Sequence, residues 1–269
     1  MSHVRRWLRG RAAPAACLLI VVLLAVPAAY TAVFSLNDYR RSNLIWNSQG
    51  SPTLAHWTDP CGPAGLCSSV AVSLRVGLLS AALATVLGTL MAYALTRASF
   101  RGRSAIHVLV LLPLATPDVV LGVGLLSVFV QGWSDLGVRL GEGTVIASHA
   151  LLSLSFVVVA VRARLEGIGS SLTEAAADLY ASRWGVFRWV TWPLAAPGVA
   201  GAALLAFAVS LDDVVVATFV GGDAMTFPRY VYVTALRGIP AEANVAGLIL
   251  AGAAVLFGVV SGTAIRRGR

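Results

Sequence analysis

The sequence predicts an all-α membrane protein of six transmembrane helices, with both chain ends on the cytoplasmic side. Three observations carry that expectation. Hydrophobic residues make up 58% of the 269 and charged residues only 12%, with a mean hydropathy of +0.81. A soluble domain holds roughly a quarter charged residues, so half that fraction leaves too little polar surface to wet a globule. Six apolar stretches approach the ~20 residues that cross ~30 Å of hydrocarbon. The arginines punctuate these stretches rather than gathering on one face.

The first stretch is uncharged from Ala12 to Leu36 and predicts a span over 14–36 behind a cytoplasmic tail, 1–13. Arg5, Arg6, Arg9 and Arg11 in that tail resemble the basic start of a signal peptide. The apolar run is longer than a signal peptide needs, so it is expected to stay as a span. Val76 to Thr96, with Arg75 at the edge, predicts a second span over 71–96. The third, 104–130, lies between Arg103 and Asp135 and is interrupted by Asp118. Gly143 to Val161 predicts the fourth, 143–162. The fifth, 195–220, begins near Trp189, is uncharged to Leu211 and continues apolar beyond Asp213. Ala243 to Ile265 predicts the sixth, 243–265, before a short tail, 266–269. Residues 14–265 thus read as one transmembrane domain, with a polar outer loop over 37–69 and its longest inner loop over 163–193.

Orientation follows from the arginines, because positive charge is retained on the cytoplasmic side. With the N-terminus inside, fourteen of the twenty fall on inner segments (Arg97, Arg101, Arg103, Arg162, Arg164, Arg183 and Arg188 among them). Six fall outside: Arg40, Arg41, Arg75, Arg139, Arg229 and Arg237. All seven tryptophans, including Trp46, Trp57, Trp133 and Trp184, sit in loops or at span ends, where amphipathic rings anchor.

Composition also excludes chemistries. All twenty basic residues are Arg, and without Lys neither a nucleotide-binding G-x-x-x-x-G-K-[ST] loop nor Schiff-base catalysis is available. Cys17 reads as a small apolar residue of the first span. Cys61 and Cys67 flank the loop C-G-P-A-G-L-C and could form a disulfide if that loop is outside. A zinc site would need two more ligands, and only His56 is near.

The inner loop carries the functional signal. Thr173 or Ser171 can cap a helix whose first turns hold Glu174 and Asp178, with Ala175, Ala176 and Ala177 as strong helix formers. Pro193 and Pro197 are expected to stop that helix and mark entry to the fifth span. The spacing Glu174-Ala175-Ala176, three residues, Tyr180, nine residues, Val190-x-Trp192-Pro193 resembles the EAA-x3-G-x9-I-x-L-P loop of ABC importer permeases. Tyr180 stands where that family has Gly, Val190 replaces Ile and Trp192 replaces Leu. Gly tolerates positive φ and Tyr does not readily, which leaves the turn after the helix open. The stretches 73–95, 116–126, 210–220 and 240–244 are similar to the spermidine/putrescine permease branch of the family.

That resemblance implies a type I ABC importer permease bundle with a cytoplasmic coupling helix. Glu174 would make a charged contact with an ATP-binding cassette subunit, Ala175 and Ala176 would permit close packing, and Pro193 would fix the loop to the next span. It further implies a second permease subunit, an extracellular substrate-binding protein, ATP held by the partner with no cofactor on this chain, no metal, and a polyamine-like cation as substrate.

Asp118, Asp212 and Asp213 lie in apolar stretches with no basic residue of their own to pair with. A charge in hydrocarbon costs at least ~2.5–3.5 kcal/mol, so such groups line a cavity or find partners. Counted from the inner ends of their spans, Asp118 falls ~21 Å and Asp212 ~24 Å along, at similar depth. One reading is a shared acidic ring on a translocation path; the other is helix capping and packing. Asp212 and Asp213 are ~100° apart on a helix, so one is expected to turn toward a neighbouring span. Membrane enzymes fit less well. Gly132-Trp133-Ser134-Asp135 misses the last Gly of G-x-S-G, and Gly221-Gly222-Asp223 lacks G-x-G-D spacing. His107 and His149 are expected at span ends, away from any Ser or Cys nucleophile.

Overall fold

The computed structural model describes residues 2–38, 45–132, 137–236 and 238–267, with backbone only for 2–13, 170, 257 and 259–267. Arg40, Arg41, Arg237, Arg269, Trp133, Ser134 and Asp135 of the patterns above lie outside the described residues. In chain order the helices are α1 (Ser2–Phe34), α2 (Ala55–Thr58), α3 (Leu66–Arg97), α4 (Arg103–Ala115), α5 (Asp118–Ser127), α6 (Glu142–Glu166), α7 (Ser170–Asp178), α8 (Arg183–Val186), α9 (Trp192–Asp212), α10 (Val215–Val220), α11 (Phe227–Ala235) and α12 (Ala241–Arg267). Two π turns, Val128–Gly132 and Phe187–Thr191, widen the backbone after α5 and before α9. No strand occurs among the described residues.

Four segments are long and apolar enough to cross a bilayer: Pro14–Phe34, Leu66–Arg97, Glu142–Glu166 and Arg183–Asp212. The pair α4–α5 makes a fifth if it counts as one span, but it is bent by 111°. Pro117 explains the break. A residue before proline is pushed out of the helical region, and Thr116 is extended (ψ 132°) while its hydroxyl takes the Leu112 carbonyl at 2.8 Å. The interruption that the sequence puts at Asp118, directly after Pro117, is thus a helix break, with Asp118 the first residue beyond it. In α12, 27 residues are helical, and the apolar stretch read from described side chains runs from Ala241 to Leu256.

Two compact units make up the chain, residues 1–67 with 233–256, and residues 68–232 with 257–269. In the first unit, α1 shows an uninterrupted apolar surface: Leu18 to Leu24 are all more than half exposed. Such a surface belongs against lipid or another apolar partner. After α1 the chain folds around one side chain. Asn37, 1% exposed, donates from Nδ2 to the Ile45 carbonyl (2.8 Å), and its Oδ1 accepts from the Asn47 amide (2.9 Å) and the Ser51 hydroxyl (3.0 Å). His56 bridges the Asn37 carbonyl (Nε2, 3.1 Å) to Glu242 at the start of α12 (Nδ1, 2.9 Å). Cys61 and Cys67 form a disulfide, with Cα atoms 5.4 Å apart. His56 is thus committed to Asn37 and Glu242, and no cluster of three metal-ligating side chains occurs among the described residues.

In the second unit α6 is the central helix, 61% buried where α3 and the α8–α9 segment are about a third buried or less. Its main partner is α9. Small residues allow the approach, as expected where lipid supplies no hydrophobic drive between helices. The core holds Ala81, Ala84, Ala92, Ala195, Ala202 and Ala206 against Val157, Val158 and Val161. A Cβ on Gly88 would lie 2.7 Å from Val157 Cγ1, so only glycine permits that α3–α6 contact. A second cluster, with Val76, Phe129, Val145, Val216, Ala217 and Val220, fills the opposite end of α6.

Candidate functional site

The loop between α6 and α9 is built from backbone caps. Gly169, extended at φ −56° and ψ 146°, is the N-cap of α7 and offers no side chain. Capping by Thr173 or Ser171 is thereby corrected: the helix begins earlier, at Ser170, because extended Gly169 frees the first amides without strain. Asp178 consequently ends α7 rather than opening it, and Glu174 lies mid-helix. The C-terminus closes as a Schellman motif. The Ala181 amide reaches the Ala176 carbonyl (3.2 Å) and the Tyr180 amide reaches that of Ala177 (2.9 Å). Tyr180 sits at φ 59°, the sole positive-φ residue other than glycine among the described residues. The turn the family builds on Gly is kept here with a tyrosine, at a cost of ~1–2 kcal/mol for a left-handed L-residue.

Pro193 does not stop the loop helix. Helical backbone continues from Arg183 to Asp212, through the π turn and into α9, and Pro197 lies inside α9. Pro193 lacks an N–H, but it follows directly on the π turn, where the Trp192 amide bonds back to Phe187 and the wider ring accommodates the missing donor. Phe187 packs edge-on against Tyr93 (5.3 Å) and stacks on Trp184 (5.4 Å), tying this end of the loop to α3. Arg164 adds a brace: its Nε donates to the Leu194 carbonyl at 2.9 Å, and its stem fills a notch at Gly198, where a Cβ would come within 2.6 Å. Glu174 and Ala175 are exposed, Ala176 half-buried and Pro193 exposed. Leu172, Leu179, Tyr180 and Trp184 are exposed by 52%, 81%, 98% and 66%. The result is an element anchored at its base, with an exposed face on which Leu172, Glu174, Leu179 and Tyr180 lie open.

The three acids are not equivalent. Asp118, at the first turn of α5, is exposed, and no hydrogen bond or ion pair reaches it among the described residues. Asp212, last residue of α9, is likewise exposed. Asp213 turns inward, its side chain 12% exposed. Its Oδ1 accepts the Val216 amide at 3.0 Å, which holds the start of α10, and its Oδ2 lies 3.1 Å from His149 Nε2. That approach is close enough for charge attraction but too oblique for a hydrogen bond, so both atoms lack one. His149 Nδ1 is 2.8 Å from Ser210 Oγ. His149 therefore lies 1% exposed in the core of α6, beside a serine and an acid, and its expected place at a span end is corrected. The inward face of α6 carries Ser148, His149 and Ser153, of which His149 reaches Ser210 and Ser153 donates to the Ala206 carbonyl, both on α9. Ser210 is no nucleophile: it is buried in the last turn of α9, where the helical amides are already committed and can form no oxyanion hole. Among the described residues no hydrogen bond or ion pair links Asp118 with Asp212 or Asp213, although α5 and α10 pack together, with Phe219 against Gly122. His107 is half-buried beside Arg162 (3.0 Å), whose Nε also donates to Glu166 (2.7 Å).

These features coincide with a known family. A sequence model described as binding-protein-dependent transport system inner membrane component matches residues 84–267, which include the capped loop and all three acids. The chain belongs to this family. It is accordingly an inner-membrane, multi-pass transport component and not an enzyme. Over 179 residues it is 38% identical to the spermidine/putrescine transport system permease protein PotC of Escherichia coli K12, 66% of each chain being covered. It is 34% identical over 204 residues to the putrescine transport system permease protein PotI of the same strain, covering 73% of this chain and 71% of PotI. A PotC homolog of Mycoplasma pneumoniae is 26% identical over 255 residues, 93% of this chain and 87% of that one. Among solved structures, a chain of a bacterial alginate ABC transporter in complex with an alginate pentasaccharide-bound periplasmic protein superposes with a TM-score of 0.73 at 18% identity, covering 98% and 95%. A chain of the inward-facing MetNI methionine ABC transporter gives 0.61 at 21%, covering 75% and 95%. At those identities the likeness establishes the fold alone.

Sequence reasoning missed Arg164, Gly198, His149 and Ser210. For His149 a signal existed, because an ionisable residue seven positions into an apolar run implies a partner. For Gly198 there was none.

Proposed function

We propose that this chain is the permease subunit of an ATP-driven importer, forming a translocation path for a polyamine-like cation. The observation that carries the transport role is the α7 turn: a braced helix whose acidic and apolar face, with Leu172, Glu174, Leu179 and Tyr180, is exposed. An ATP-binding cassette subunit would dock there, Glu174 making the charged contact and Ala175 and Ala176 allowing close approach. Tyr180 holds the turn and Pro193 links it to α9. Six spans, with both ends inside, place the loop on the cytoplasmic face, and a second permease and an extracellular binding protein complete the assembly. ATP-driven closure of the partner subunits would bring paired coupling helices together and switch the bundle.

The substrate class rests on what PotC and PotI are named for, and on Asp212. A carboxylate exposed at the end of an uncharged apolar helix does not face hydrocarbon cheaply, so it fits an aqueous path that attracts cations. Asp118 would contribute from the broken span. A different small solute is the second reading, since a binding protein can set that choice.

The test is uptake of radiolabelled spermidine in cells with and without the gene, competed by putrescine, sulfate, a sugar and an amino acid. Uptake lost on deletion, blocked only by amines and restored by the wild type but not by Glu174→Arg, is the expected result. Unchanged spermidine uptake in cells lacking a redundant system would remove the polyamine assignment.

A further inference from the structure

His149 is the most buried titratable side chain of the second unit, and the transport scheme makes no use of it. It joins three elements: α6, which carries it, α9 through Ser210, and the α9–α10 break through Asp213. Nδ1 lies 2.8 Å from the Ser210 hydroxyl, and Nε2 faces the Asp213 carboxylate at 3.1 Å without a hydrogen bond. Asp213 meanwhile caps α10 through Oδ1. Two neighbouring carboxylates thus face different ways: Asp213 is held inward and Asp212 is left on the open face.

We infer that His149 is a positioning residue that sets how much negative charge this break presents to a passing cation. It holds Asp213 against α6, so that Asp212 alone is offered, and it fixes the backbone break that aims Asp212. The inference rests on the reading of Asp212 as a path residue. Its physical basis is independent of which amine is carried. Without His149, the inward oxygen of Asp213 would lose the polar ring it faces, and the carboxylate would swing toward the exposed side of the break, beside Asp212.

A local-charge measurement tests this without reference to substrate. Asp212→Cys in a Cys17→Ala background leaves one free thiol, because Cys61 and Cys67 are bonded. Its labelling rates by a cationic (trimethylammonium-ethyl) and an anionic (sulfonatoethyl) methanethiosulfonate are compared in membranes holding the assembled transporter. The ratio cancels differences in protein abundance. His149→Leu is expected to raise the cationic-to-anionic ratio about fivefold, the effect of one unit charge brought alongside. Adding Asp213→Asn should abolish the rise. His149→Gln keeps a donor where Nε2 lies and should stay near the parent ratio, whereas His149→Asn reaches only Ser210 and should behave as Leu does. If His149→Leu fails to insert, the Gln and Asn pair decides alone. A ratio within twofold of the parent in both His149→Leu and His149→Asn, or a rise that survives Asp213→Asn, overturns the inference. With Asp212 intact, the same variants should move KM for the transported cation more than the maximal rate. A wild type that carries no amine would refute the proposed substrate and leave the labelling outcome to judge His149.

Discussion

Two segments outside the long helices solve the same problem in opposite ways. Residues 35–67 are satisfied from within. Asn37 serves three partners in that segment, His56 ties it to Glu242, and a disulfide closes its end. Residues 167–193 rely on backbone caps and two anchors at their base, Arg164 and Phe187, and turn Glu174, Leu179 and Tyr180 outward. The first segment is held by its own side-chain bonds, even though Ile45, Trp46, Leu54 and Trp57 stay exposed. A segment that is stiff yet bare is half of an interface. Damage to the first should therefore register as stability, and damage to the exposed face of the second as function.

The largest expected effect breaks the comparison at α7. Glu174→Arg reverses an exposed charge, and Ala175→Trp adds bulk where close approach is proposed. Neither side chain touches the rest of the chain, so membrane insertion and thermal stability should hold within ~0.5 kcal/mol, as for ordinary surface changes. Uptake should fall roughly tenfold or more, and co-purification of the ATP-binding subunit should fall with it, as for a central interface residue. Equal loss of inserted protein and of uptake would show that α7 supports the fold rather than a partner.

The mirror experiment is Asn37→Ala. Removing this 1%-exposed side chain leaves the Ile45 carbonyl, the Asn47 amide and the Ser51 hydroxyl without their common partner. These bonds are part-buried, so each one lost costs ~0.5–1.5 kcal/mol. The expected outcome is a lower unfolding temperature in detergent and faster proteolysis within residues 35–67. Uptake per inserted molecule should change less than threefold. Uptake abolished at normal stability would mean that this segment, too, is functional surface.

What could be read in advance divides along the same line. Hydropathy placed the apolar runs because lipid imposes a length and a composition that survive any tertiary detail. The break at Pro117 was legible for the same reason, proline acting through its own ring. The EAA-type spacing marked the α7 loop because it is local. Asn37, His56 and Glu242 were not legible as a set, since a 186-residue separation between the last two leaves no pattern along the chain. Nor was the place of His149, whose partners stand 61 and 64 positions away on another helix. Pro193 misled, because a π turn just before it carries the helix through a proline that would end most helices, and that turn cannot be foreseen from residue types.

The smallest effect sharpens the comparison within the bare segment itself. Tyr180 is 98% exposed and holds a left-handed backbone that glycine adopts freely. If its role is only to turn the chain, Tyr180→Gly should recover ~1 kcal/mol of local stability, slowing amide exchange in α7 a few-fold, with uptake within twofold of wild type. Tyr180→Val should do the reverse. A β-branched residue is a poor occupant of positive φ, so the Schellman bonds from Tyr180 and Ala181 would open and α7 would fray from its C-terminal end. If instead Tyr180→Gly keeps the turn and still lowers uptake several-fold, the ring itself contacts the partner. The exposed aromatic would then extend the docking face beyond Glu174, and the left-handed tyrosine would be a contact retained at the expense of the turn.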